Sequence, residues 1–145
     1  MRMDCIANIE KLALSKFTEA KCLFINGHCD GAYYTAGYTV ELLLKAKVCK
    51  TLGIEDFFDE KSTLMKKFRF PQTFKSHDFE QLLVLSGVYK ELDKQSDLDP
   101  NFKSKWSSVC FWSEESRYST GKTSQEVEDF LTSVGEIVEW IRKYL

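Results

Sequence analysis

Residues 32–50, AYYTAGYTVELLLKAKVCK, decide how this chain is read, because Glu41 and Lys45 interrupt an otherwise apolar run. At about 100° per residue, Tyr34, Tyr38, Glu41, Lys45 and Val48 fall within about 80° of one another on one stripe of a helix. Val40, Leu42, Leu43, Leu44 and Ala46 cover most of the remaining surface. A helix that is apolar nearly all round sits in the middle of a bundle. Glu41 and Lys45 are therefore expected to be at least half buried, where charges must be paired or used. Their spacing of four, acid first, also allows a plain structural ion pair. Gly37 within this run costs about 1 kcal/mol relative to alanine, and close approach by a neighbouring helix is the expected compensation. Asp30 is the expected cap and Gly53 the expected stop.

Working outward, helical spacing recurs. Ile6, Ile9, Ala13, Phe17, Ala20 and Phe24 predict a first helix from Asp4 to Phe24, ended by Asn26 and Gly27. From Thr51 to Lys75 the apolar residues are irregular and Pro71 intervenes, which predicts a loop with one short helix. A third helix is expected to start around Ser76 to Asp78 and to run through FEQLLVLSGVYKEL, burying Phe79, Leu82, Leu83, Leu85 and Val88. After a turn at Asp97–Asn101 containing Pro100, residues Phe102 to Tyr118 form the fourth predicted helix, rich in aromatics. The last has Val127, Phe130, Leu131, Val134, Ile137, Val138 and Ile141 at i, i+3, i+4, i+7 spacing, with Thr123 and Glu126 as a capping box. No strand pattern competes. The expectation is one all-α domain over residues 1–145, a bundle of four or five helices.

Composition narrows the function. The chain has 145 residues, 43% of them hydrophobic and 29% charged, with a formal net charge of -2, so it lacks the basic footprint of a strong duplex binder. Any nucleic-acid contact must be local. No apolar run approaches the roughly 20 residues of a membrane span, and the first residues lack the apolar core of a signal peptide. The five cysteines, with no CxxC pair, read as reduced thiols of a cytoplasmic protein. Cys22, His28 and Cys29 are too few and too loosely spaced for structural zinc, so no metal or cofactor is expected.

Three polar groupings stand against this background. Glu41 and Lys45, with Tyr38, define a polar cluster that His77 or Arg117 is positioned to join. His77 and Asp78 mark a helix start, where the carboxylate suits capping and the imidazole suits either a core hydrogen bond or general-base work with Glu41. Arg117 and Tyr118 precede the loop Ser119–Thr123, which contains Lys122 and leads to a helix N-terminus, a layout that suits a phosphate as well as a solvated loop. Thr-Gly-Lys-Thr at 120–123 is not a Walker loop, since the earlier glycine and the preceding strand are missing.

The runs GHCDGAYYTAGYTVELLLKA from Gly27, SHDFEQLL from Ser76 and WSEESRY from Trp112, followed by the last amphipathic helix, resemble the HEPN family (higher eukaryotes and prokaryotes nucleotide-binding). The resemblance spans nearly the whole chain and implies an all-α HEPN-like bundle, often a homodimer. It also implies either nucleotide or RNA binding or a metal-independent endoribonuclease. In that setting such a domain is a toxin paired with a nucleotidyltransferase-type partner protein, or part of an anti-phage system. The family's ribonucleases use an R-x4-6-H motif. Here the positions permitted after Arg117 hold Lys122, Thr123 and Ser124, while Arg69 and His77 are separated by seven residues. The expectation is therefore binding of a nucleotide, an RNA element or a cognate partner without catalysis. One alternative is an endoribonuclease with a rearranged site using His77 and Arg117. The other is a module for protein interaction only.

Overall fold

In the computed structural model, which describes residues 5–53 and 76–145, every regular element among those residues is helical. The six α-helices are α1 (Cys5–Ile25), α2 (Cys29–Leu52), α3 (Phe79–Ser86), α4 (Tyr89–Leu98), α5 (Pro100–Cys110) and α6 (Ser124–Arg142), with a 3-10 helix at Glu114–Tyr118 before α6. The all-α bundle read from the sequence is thus the fold. None of these helices is long and apolar enough to cross a membrane. The loop and short helix expected between Thr51 and Lys75 fall largely outside the described residues, as do Arg69 and Pro71.

Helix α2 is the hub. It packs against α1, α3, α6 and the 3-10 helix, and 14 of its 24 residues are buried, which accounts for its lack of a polar face. Val40, Leu43, Leu44, Ala46 and Val48 have no exposed surface, and full burial of each Val or Leu contributes about 1.5–3 kcal/mol. Helix α6 closes the bundle against α2 and α5, with Val127, Phe130, Val134, Ile137, Val138 and Ile141 inward and the Thr123–Glu126 capping box formed as expected. The end of the chain is tied down by Lys50 Nζ, which donates to the carbonyls of Tyr144 and Leu145 at 3.1 and 2.8 Å.

Two expected helices are divided. The third breaks at Gly87, whose φ of 83° is in the left-handed region that only glycine enters cheaply. Apolar periodicity continues through Val88, so the spacing alone does not reveal the stop. The fourth begins earlier than expected, with Asp99 capping the amides of Asn101 and Phe102 and Pro100 in the first turn. It then ends at Cys110. Phe111 turns outward and is 85% exposed, while Trp112 folds back and is 4% exposed. This reversal starts the 3-10 helix on the α2 side of the bundle.

Asp78 caps α3 as the sequence implied, accepting the Glu80 and Gln81 amides at 2.9 and 3.2 Å. Asp78→Ala is expected to cost about 1 kcal/mol, read as a lower urea midpoint with an unchanged m-value.

Candidate functional site

Glu41, on α2, is 1% exposed, and its two carboxylate oxygens face different partners. Oε2 lies 3.3 Å from Lys45 Nζ, one turn along the helix. Oε1 lies 2.5 Å from Nδ1 of His77, in the segment that enters α3. The other ring nitrogen of His77, Nε2, is 2.7 Å from Glu114 Oε2 at the start of the 3-10 helix. A line of four side chains, Lys45, Glu41, His77 and Glu114, thus joins three chain segments. Lys45 is 8% exposed, so the pair is more deeply buried than its sequence required. Tyr38 belongs to the same neighbourhood: burial pushes its phenol upward, and the Glu41 carboxylate and then Tyr34 add to this, with Lys16 opposing.

Trp112 is the apolar side of this site. Its ring stacks on Phe79 at 5.2 Å and 5°, and meets Tyr34 at 5.8 Å. Gly37 lies against its five-membered ring, so that a Cβ at residue 37 would stand 2.2 Å from Cδ1. The close approach expected at Gly37 is real, but it is made by an indole and not by a helix backbone. Beside Trp112 and His77 opens a cavity of about 630 Å³, also lined by Phe79 and Cys110 and rimmed by Asp78, Glu80, Glu114 and Glu115. Burial, followed by the charges of Glu80 and Asp78, pushes the Cys110 thiol up to about 12, which makes it a poor nucleophile.

Arg117 does not join the Glu41 cluster. Its guanidinium sits 5.6 Å from the ring centroids of both Tyr34 and Tyr118, and among the described residues it makes no ion pair. Tyr118 is 79% exposed. Lys122 lies with its Nζ 4.4 Å from the centre of the Tyr33 ring. Tyr33 is itself buried, its hydroxyl pushed upward by burial and then by Glu126.

The loop between them is organised differently from the sequence expectation. Asp30 does not cap α2, whose N-cap is His28 without a side-chain hydrogen bond. Its carboxylate instead accepts the backbone amides of Gly121 and Lys122 at 3.2 and 2.9 Å. Two backbone amides of the loop therefore already hold an internal anion. The side chains of Arg117 and Lys122 remain on this face as cationic groups.

The sequence offers Tyr38, Glu41 and Lys45 as a polar cluster with His77 or Arg117, and Asp78 beside His77 as a cap; the structure brings His77 to Glu41 and leaves Arg117 over Tyr34 and Tyr118. Sequence reasoning missed Glu114, which lies in the quoted WSEESRY block but carries no spacing signal toward His77, 37 residues earlier. Among the described residues no group of three or more His, Cys, Asp or Glu side chains is placed to hold a metal. Among the described residues Cys22, Cys29 and Cys110 are free thiols. Comparison with known proteins gives no matching family model, no matching curated protein and no matching solved structure.

Proposed function

We propose that this chain is a HEPN-like domain that binds a nucleotide or single-stranded RNA through Arg117, Tyr118 and Lys122, and does not cleave it. The observation that carries this reading is the Arg117 guanidinium, held over Tyr34 and the exposed Tyr118 ring with no carboxylate partner among the described residues. A cation beside an open aromatic face offers a phosphate contact and a stacking surface together, which is how single strands are held without sequence readout. Stacking of this kind contributes about 1–3 kcal/mol per base.

Metal-independent RNA cleavage needs a free acid or base at the 2′-hydroxyl or the leaving oxygen. Both ring nitrogens of His77 are engaged by carboxylates, which supports binding over an endoribonuclease that uses His77. The homodimer and the nucleotidyltransferase-type partner implied by the resemblance belong to the same proposal. Light scattering of the purified chain tests the first, and co-purification tests the second.

A fluorescein-labelled single strand of about 12 nucleotides, within the usual footprint of such sites, provides the test. Arg117→Ala is expected to weaken binding by about tenfold or more with the thermal midpoint unchanged, and Tyr118→Ala by a comparable factor. Retention of full affinity in both variants overturns the assignment. RNA cut by the native chain and left intact by His77→Ala establishes the enzymatic alternative.

A further inference from the structure

We infer that His77 is a proton-operated pin that holds the 3-10 helix, and with it Arg117 and Tyr118, in the position used for binding. The inference rests on the reading of Arg117 and Tyr118 as the ligand-contacting pair. Nδ1 of His77 meets Glu41 at 2.5 Å and Nε2 meets Glu114 at 2.7 Å. Ionised carboxylates only accept hydrogen bonds, and a neutral imidazole donates at one nitrogen only. Both contacts therefore exist together only while the assembly holds one more proton than a neutral imidazole between two carboxylates. When that proton leaves, a ring lone pair faces a carboxylate, and one of the two bonds is lost.

Burial decides which bond breaks. Glu41 is 1% exposed and has Lys45 on its other oxygen, whereas the Glu114 side chain is 45% exposed. Glu114 can turn into water; Glu41 cannot. The remaining charges facing His77 among the described residues act in the same sense: Asp78 and Glu80 at the start of α3 and Glu115 beside Glu114 are all acidic and line the cavity with it. Cys110 lines it as an un-ionised thiol, and Tyr38 faces Glu41 as an un-ionised phenol. Among the described residues Lys45 is a nearby cation, with Glu41 between it and the ring, and Lys16 is a second cation that reaches Tyr38. Release of Glu114 frees the first residue of a five-residue helix whose fourth and fifth residues are Arg117 and Tyr118. Trp112, fixed between Gly37 and Phe79, is the anchor about which that helix moves.

The experiment follows the His77 ring and the Arg117 and Tyr118 side chains by NMR in the full chain as the pH is varied; His28 is the only other histidine. In the native chain the Arg117 and Tyr118 signals are expected to move in step with His77. In Glu114→Gln the amide can accept from an imidazolium or donate to a neutral ring, so His77 still titrates while Arg117 and Tyr118 no longer follow. Glu115→Gln leaves the native behaviour intact. Arg117 and Tyr118 signals that ignore His77 in the native chain overturn the inference, as does coupling unchanged in Glu114→Gln. With the labelled RNA, affinity is expected to fall about fivefold or more as His77 loses its proton, and to become independent of that proton in Glu114→Gln. RNA that binds at no pH refutes the functional reading alone, because the NMR coupling is read without ligand.

Discussion

Gly37→Ala is expected to destabilise the domain by about 3 kcal/mol, at the upper end of the usual cost of overpacking a core. Taken alone, a helix-interior glycine replaced by alanine gains about 1 kcal/mol in helix propensity. That gain is outweighed here because the added methyl would meet Cδ1, Cγ and Nε1 of Trp112 at 2.2, 2.3 and 2.3 Å, well inside any van der Waals contact. Retreat of the indole is opposed by Phe79, which is stacked on it, and by Tyr34, which meets it as well. The check is urea unfolding of a double-mutant cycle. Trp112→Ala removes the obstacle, so Gly37→Ala is expected to be near neutral or stabilising in that background, with a coupling of about 2 kcal/mol or more. Equal effects in both backgrounds would show that the ring does not set the cost.

Glu41→Ala is expected to cost about 3–5 kcal/mol, the range seen when one member of a buried ionic cluster is removed. Its carboxylate contacts Lys45, which is 8% exposed, and His77 at the same time. Deleting it removes that carboxylate from both and leaves a gap on the buried surface of α2. Thermal and urea unfolding of the variant measure this. A loss below about 1 kcal/mol for Glu41→Ala would place the pair among ordinary surface ion pairs, contrary to its burial.

The site was legible in the sequence as far as helical geometry reaches. Tyr34, Tyr38, Glu41 and Lys45 share a stripe because 3.6 residues make a turn, and that holds before any packing is known. Asp78 was legible as a cap because capping is a contact over two or three residues. Glu114 was not, since its bond to His77 spans 37 positions and depends on the chain reversing at Phe111 and Trp112. Asp30 was read as a local cap and in fact serves amides 91 and 92 residues away. Val88 preserved the apolar period across Gly87, so a helix that stops there read as one that continues.

What the sequence alone determined is the all-α fold, the burial of α2 and the need for a partner inside the bundle for Glu41. These follow from residue period and from the cost of isolating a charge, which are properties of the chain and of water. Which groups answer that need was decided only by tertiary structure. Three segments meet at His77, Trp112 closes over Gly37, and Asp30 takes the loop amides, because the bundle brings together groups that no spacing along the chain relates. Arg117 stands apart from the cluster for the same reason: the turn that carries Glu114 to His77 carries Arg117 to Tyr34, and so separates the buried charges from the exposed one.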